Sequence, residues 1–342
     1  MRTHVIFARP HVGNADAVPP QWEYENRIVR GIGDPVDEMT APSESRRPWL
    51  KSPCLGSLKN NLTQLPSNLY AIWRIPVAEG RSAVCRTYLK ILARLAFAGV
   101  FPRMSPRQER IGGVTMQALD YASFLSLYIE IVVRREYRFA FDSPSPLILD
   151  CGSNIGMSVL YFKTISPDCR IVAFEPDEIA FRALQHNVAA NRWNHVEMHN
   201  AALCGEEGEI DFFSDPSQPG SLVMSTFEHR VSGASSKATV CRQVQSLRLS
   251  SFVNGPVDLV KMDIEGTELT VLEELAQTGK LQEIKQIVLE YHHHLHDQEN
   301  RMARLLGLLE ENGFGYQIHA PSARPFQQRA FQDILIYAYR PH

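Results

Sequence analysis

Apolar residues in the second half of the chain fall into short runs separated by segments of helical periodicity. Runs at 147–151, 171–175, 196–203, 258–263 and 284–291 have the length of buried strands. The segments after them repeat apolar residues every three or four positions, as amphipathic helices do. This alternation predicts an α/β domain with a parallel sheet and helices on both faces. Helices are predicted at 155–165, 177–191, 266–278 and 300–312, and a final strand pair at 316–319 and 333–339.

The N-terminal part of the chain has a different pattern. Residues 1–80 contain many prolines and little periodicity, so we expect an irregular arm or cap there. Helices are predicted over 82–98 and 120–137, and they would pack on the sheet domain or cap it. The chain therefore divides into this arm, a helical segment at 81–140 and a ligand-binding domain at 141–342.

An insertion interrupts the alternation between 204 and 256. Two strands are predicted there, at 209–213 and 240–249, and the stretch between them is rich in Ser, Gly and Pro. Insertions of this length often carry function. We expect residues 214–238 to lie at the mouth of the cleft and to be more mobile than the sheet, with structural packing elsewhere as the alternative.

The turn after the first predicted strand has the composition of a nucleotide-binding loop. It reads Asp150-Cys-Gly-Ser-Asn-Ile-Gly156 and leads directly into a helix. Gly152 lets the backbone approach a ligand, and Gly156 lets the helix pack on the strand. The next strand ends in Glu175, where nucleotide-binding α/β folds hold a ribose diol. The third glycine of the dinucleotide fingerprint is missing, since Asn154 occupies the middle position.

Composition and charge exclude several kinds of partner. The net charge is −3, which gives no reason to expect nucleic acid or an anionic membrane. The six scattered cysteines form no C-x-x-C pair, which is typical of a reducing compartment. The N-terminus does not resemble a signal peptide, and Lys90 and Arg94 interrupt the most apolar stretch. We expect a cytoplasmic protein without a membrane span; the oligomeric state, including a homodimer, is left open.

Further motifs follow the turn in a fixed order. They are Asp150-x-Gly-x-Asn-x-Gly156, Phe174-Glu-Pro176, Asn200-Ala-Ala202, Leu259-Val-Lys-x-Asp-x-Glu-Gly-x-Glu268 and Leu289-Glu-Tyr-His292. Together they resemble the FkbM-type methyltransferases, over roughly 130–339. The resemblance implies the class I methyltransferase (Rossmann-like) sheet, with strand order 3-2-1-4-5-7-6 and the seventh strand antiparallel. It also implies methyl transfer from S-adenosylmethionine, usually to an oxygen of a small molecule such as a natural product or sugar.

The same resemblance implies a set of site residues. The turn would surround the methionine part of the cofactor, Glu175 would bind the ribose, and Asn200 and Ala201 would lie near the adenine. The cofactor-binding residues expected on this basis are Asp150, Gly152, Ser153, Asn154, Gly156, Ser158, Glu175, Pro176, Asn200, Ala201 and Asp263.

The carboxyl ends of the fourth and fifth strands should meet where the acceptor binds. Lys261 lies in an apolar strand and needs a carboxylate partner, which we expect to be Glu290 or Asp150. His292 is our candidate general base, because an unperturbed histidine titrates near neutrality. The expected catalytic residues are His292, His293, Lys261, Asp263 and Glu265.

Three alternatives stay open. Asp263, Glu290 and His292 could instead bind a divalent cation that lowers the pKa of the acceptor. A nicotinamide-dependent oxidoreductase on a similar fold is disfavoured by the missing glycine and by the Lys-x-Asp-x-Glu-Gly motif. A binding protein without catalysis is disfavoured because the expected cofactor residues are all present.

Overall fold

A computed structural model of the protein describes residues 53–101, 107–215, 222, 224–226, 239–293, 301–320 and 332–340. Its N-terminal helices are α1 (Pro53–Trp73), α2 (Arg81–Val100) and α3 (Tyr121–Leu127). A hairpin of β1 (Gln108–Ile111) and β2 (Val114–Gln117) separates α2 from α3. None of the described helices is both long and apolar enough to cross a bilayer.

The central sheet contains seven strands. In chain order they are β3 (Leu147–Cys151), β4 (Arg170–Phe174), β5 (Val196–His199), β9 (Leu259–Met262), β10 (Gln286–His293), β11 (Gly315–His319) and β12 (Gln332–Tyr339). Across the sheet the order is β5-β4-β3-β9-β10-β12-β11. Neighbouring strands from β5 to β10 run parallel, and β12 is antiparallel to both β10 and β11.

Helices cover both faces of this sheet, so the predicted α/β fold is confirmed. One face carries α4 (Met157–Ile165), α5 (Glu178–Ala190) and the N-terminal helices. The other carries α6 (Glu268–Gln277) and α7 (Met302–Glu311). Each set of helices buries its apolar residues in one of two core clusters, so the N-terminal helices share a core with the sheet.

The predicted insertion forms a small second sheet. Its strands are β6 (Ala202–Leu203), β7 (Gly208–Ser214) and β8 (Val240–Leu247), in the order β6-β8-β7. Most of residues 214–238 lie outside the described residues. Ser225, which is described, pairs with Phe213, and the Ser225 hydroxyl donates to the Glu265 carbonyl oxygen at 2.6 Å. This contact ties the insertion to the carboxyl end of the central sheet.

Three expectations about local structure are wrong. Residues 53–73 form a helix rather than an irregular arm, because its apolar residues pack on α2 despite Pro66. The helix expected over 120–137 ends at Leu127 and continues as a π-helix, Tyr128–Val133. The strand expected over 196–203 is two strands, since β6 leaves the central sheet to pair with β8.

Candidate active site

A cavity lies at the carboxyl ends of β3, β4, β9 and β10. The turn after β3 and the end of β4 form one half of it. The ends of β9, β10 and β12, together with the π-helix, form the other half. Its position agrees with the rule that parallel α/β sheets bind ligands where their strands end.

Gly152 makes the close approach that the turn requires. Its φ is +83°, and a Cβ built on it would lie 1.8 Å from the Asp263 carbonyl oxygen. The Asp263 N–H also donates to the Cys151 carbonyl oxygen at 3.1 Å. Only glycine fits between the two strand ends, so the turn and Asp263 form one wall of the cavity.

Glu175 projects from the end of β4 into the cavity. One of its carboxylate oxygens accepts from the Asp177 N–H and the other from the Asn154 N–H, each at 2.8 Å. Burial raises the pKa of Glu175 to about 8, while these two N–H donors oppose the shift. The carboxyl group is therefore oriented by the backbone and poised to ionise near neutral pH.

Lys261 is buried behind the turn, as is Asp150. The Lys261 ammonium lies 3.6 Å from Asp150 and 3.8 Å from Asp263, and it donates to the Gly152 carbonyl oxygen at 2.5 Å. Burial alone would lower the pKa of Lys261, but the two carboxylates raise it above its ordinary value. Asp150 is thus the close partner of Lys261.

Replacing Lys261 with methionine should destabilise the protein by about 3–5 kcal/mol, because it leaves the buried Asp150 carboxylate without its cation. Urea unfolding measures this change. The matched control is Lys285→Met, which breaks a 2.7 Å pair with Asp258 in which the lysine is 52% exposed. That control should cost about 0–1 kcal/mol. Equal losses in the two variants would show that Lys261 has no special structural role.

His292 lies at the centre of a cluster of carboxylates. Its Nδ1 is 2.8 Å from Glu268, and its Nε2 is 3.3 Å from Glu265, 3.7 Å from Asp263 and 3.9 Å from Asp333. Burial lowers the pKa of His292, but the charges of Glu265, Glu268 and Asp263 more than offset this and raise it well above its ordinary value. The imidazole therefore holds its proton more tightly than the unperturbed pKa suggested.

Strand register explains why this cluster forms. His292 and Asp333 are directly paired across β10 and β12, and Glu290 is two residues from His292 on the same face. His293 lies on the opposite face of β10, near the ring of Tyr291. His293 therefore lies on the other side of β10 from the cluster around His292.

Three residues that line the half of the cavity formed by β9, β10, β12 and the π-helix were missed from the sequence. Glu130 from the π-helix, Tyr137 and Asp333 all line the cavity. Burial, aided by the charge of Glu136, raises the pKa of Glu130 to about 8. The Tyr137 hydroxyl donates to Asp263 at 3.3 Å. A single acid inside the apolar run Tyr128-Ile-Glu-Ile-Val-Val133 was the available signal for Glu130.

The expected site residues divide into two groups. Asp150 lies behind the turn, Gly156 faces Leu184 of α5, and the Asn200 amide donates to the Glu175 carbonyl oxygen. These three residues, together with His292 and His293, are not among the cavity-lining residues. Those that do line the cavity are Gly152, Ser153, Asn154, Ser158, Glu175, Pro176, Ala201, Lys261, Asp263, Glu265 and Glu290.

Comparison with known proteins adds a sequence relationship. Residues 150–316 match the family model of the Methyltransferase FkbM domain. The chain is 28% identical over 214 residues to Methyltransferase 1 of Beauveria bassiana (strain ARSEF 2860), covering 58% of this chain and 84% of that protein. It is 24% identical over 253 residues to the 31-O-demethyl-FK506 methyltransferase FkbM of Streptomyces tacrolimicus, covering 62% and 94% of the two chains.

A solved structure is also similar. Methyltransferase FkbM from Methylobacillus flagellatus KT aligns over 64% of this chain and 53% of its own, at 17% identity and a TM-score of 0.39.

Proposed function

Because residues 150–316 belong to the FkbM methyltransferase family, we propose that the protein transfers a methyl group from S-adenosylmethionine to a hydroxyl oxygen of a small-molecule acceptor. One observation carries the proposal. The Gly152 turn and the Glu175 carboxylate open onto the same cavity as the acids around His292. A relative named for 31-O-demethyl-FK506 supports an oxygen acceptor.

The cofactor half of the cavity has the chemistry that S-adenosylmethionine needs. Glu175 is held by two backbone N–H groups and can accept the ribose hydroxyls. Phe174, Leu203 and Phe212 provide apolar surface for the adenine. Gly152 keeps the wall beside Asp263 free of a side chain, so the methionine part can lie close to the backbone.

When bound, S-adenosylmethionine supplies a methyl group on a positively charged sulfur; the acceptor oxygen bonds to that carbon as the carbon–sulfur bond breaks, and the electron pair stays on sulfur. The chain itself must orient the acceptor and accept its proton. The carboxylates of Asp263, Glu265 and Glu290 line the acceptor half and can bind a hydroxyl. Tyr137 and Lys261 both contact Asp263 and orient it.

The proposed role of His292 changes in one respect. Its side chain is 1% exposed, and it lies behind Asp263 and Glu265. The acceptor proton therefore passes to a carboxylate in contact with the cavity, and not directly to the imidazole. His292 remains the group around which these carboxylates are arranged.

The proposed activity is tested with S-adenosylmethionine carrying a labelled methyl group. The protein is incubated with a panel of hydroxylated small molecules, and transfer of label to an acceptor is measured together with release of S-adenosylhomocysteine. Label on the oxygen of one acceptor class is expected. Transfer only to nitrogen or carbon acceptors would contradict the proposed oxygen specificity.

Glu175 should make nucleoside binding depend on pH. The probe is 5′-methylthioadenosine, which has the ribose diol but lacks the charges of the amino acid. Ionised Glu175 accepts the hydroxyls more strongly, and its pKa is about 8. Affinity should therefore fall as the pH drops from about 9 to about 6. Glu175→Gln should remove this dependence and weaken binding by about 1.5 kcal/mol, as measured by calorimetry.

The control for this experiment is Glu178→Gln. Glu178 is an exposed acid three residues away that pairs with Arg182. It should keep both the affinity and the pH dependence of the unmodified protein. A pH dependence that survives in Glu175→Gln would place its origin at a group other than Glu175.

A further inference from the structure

The cluster around His292 places the carboxylates of Asp263, Glu265, Glu268 and Asp333 within 3.9 Å of one imidazole. Two overlapping sets of ligand atoms, Asp263–Glu265–His292 and Glu290–His292–Asp333, each lie within 4.8 Å of one another. Glu265 and Asp263 also line the cavity, with side chains 16% and 26% exposed. The atoms are thus close together and accessible from the acceptor half.

The distances from His292 Nε2 to the carboxylates are longer than those of good hydrogen bonds. They are close to the spacing between two ligand atoms on the same metal ion. His292 Nε2 lies 3.3 Å from Glu265 and 3.7 Å from Asp263. Two ligands that each bind a metal at about 2.1 Å are about 3.0–3.5 Å apart. A small closure around a cation would bring these atoms to that spacing.

The other side of the imidazole gives an independent indication of a metal ligand. His292 Nδ1 lies 2.8 Å from the Glu268 carboxylate, which is 1% exposed and also accepts from the Gly266 N–H at 2.9 Å. Metal-binding histidines usually donate their second ring N–H to such a carboxylate, which orients the ring and selects the tautomer. Glu268 therefore directs Nε2 toward Asp263 and Glu265.

We propose that this cluster binds one divalent metal ion, with His292 Nε2, Asp263 and Glu265 as ligands and with Glu290 and Asp333 completing the negative environment. A mixture of one imidazole and several carboxylates suits Mn²⁺ or a similar divalent ion. Only the catalytic role of the ion rests on the proposed methyl transfer; the binding of the ion does not. There the ion would bind the acceptor hydroxyl and lower its pKa, and the proton would pass to Glu130, which faces the same cavity. His292 is then a ligand and holds no proton on Nε2.

Mn²⁺ binding to the metal-free full chain tests this site directly. Protein treated with a chelator is titrated with Mn²⁺, and free Mn²⁺ is measured by electron paramagnetic resonance. One ion per chain is expected. Glu265→Gln and Asp263→Asn should each weaken binding at least about tenfold. Circular dichroism and thermal unfolding check that each variant is folded.

Glu197→Gln is the matched control. Glu197 also lies beside a histidine, with its carboxylate 2.7 Å from His199 Nε2, but it is exposed on β5. This variant should bind Mn²⁺ as the unmodified protein does. Equal weakening in Glu197→Gln and Glu265→Gln would overturn the assignment of the site.

Parallel titration with S-adenosylhomocysteine separates the metal site from the proposed function. Absence of Mn²⁺ binding by the unmodified protein, with S-adenosylhomocysteine binding intact, would overturn the metal site and leave the methyltransferase proposal standing. With an identified acceptor, a chelator should abolish methyl transfer and Mn²⁺ should restore it. Full activity in the presence of the chelator would refute the catalytic role of the ion.

Discussion

Gly152→Ala is expected to abolish cofactor binding. Its added Cβ would lie 1.8 Å from the Asp263 carbonyl oxygen and 2.9 Å from the carbonyl carbon, which are backbone atoms that no rotamer change can move. The left-handed conformation costs alanine about 1–2 kcal/mol, and overpacking adds about 1–3 kcal/mol. The strand ends must separate to relieve the clash, which distorts the wall between the cofactor and Asp263. Urea unfolding and titration with S-adenosylhomocysteine measure the two effects.

Gly80→Ala isolates the contribution of backbone conformation. Gly80 has a φ of +81°, nearly the same as that of Gly152, but no atom would lie within 4 Å of an added Cβ. This variant should lose only about 1–2 kcal/mol and should bind S-adenosylhomocysteine normally. If both glycine variants lost the same stability and kept the ligand, the close approach at Gly152 would have no functional meaning.

His292→Ala is expected to lower turnover by at least about 10–100-fold, the range found when a group that positions the ligands of a site is removed. The physical reason is that His292 is the group between Glu268 on one side and Glu265 and Asp263 on the other. Without it these carboxylates repel one another and leave the positions in which they bind the acceptor. Turnover is measured with an acceptor identified by the labelled-methyl assay.

Affinity for S-adenosylhomocysteine separates this effect from general damage. It should stay nearly unchanged in His292→Ala, because Glu175 and the Gly152 turn belong to the other half of the cavity. His292→Gln retains more volume if the alanine variant is unstable. The control is His186→Ala, whose imidazole bonds Gln108 on the surface. Full turnover in a folded His292 variant would remove His292 from the mechanism.

The arrangement of the proposed cofactor half could be predicted from the sequence because its signals are local. Gly152, the helix after it and Glu175 follow one another in a single βαβ unit, so their order in the chain determines their order in space. The roles of Asp150 and Gly156 were harder to assign. Whether a strand residue faces the ligand or the core depends on packing, and here Lys261 and Leu184 lie against these two residues.

The proposed acceptor half could be predicted only in part because its residues come from distant segments. Glu290 and His292 lie on β10, but Glu130 comes from the π-helix and Asp333 from the last strand. Nothing in the sequence indicates that β12 pairs His292 with Asp333, since that contact follows from the antiparallel register. The unperturbed pKa of histidine was also a poor guide, because it takes no account of the carboxylates that surround His292 in the fold.

Among the possible measurements, a crystal structure of the protein with S-adenosylhomocysteine tests the proposed cofactor site most directly. The ligand should occupy the cavity beside Gly152, with its ribose hydroxyls on the Glu175 carboxylate and its sulfur facing Asp263 and Glu290. Calorimetry on the same protein should show one binding site per chain and no binding of NAD. A ligand bound elsewhere, a ribose turned away from Glu175, or NAD bound in this cavity would contradict the proposal.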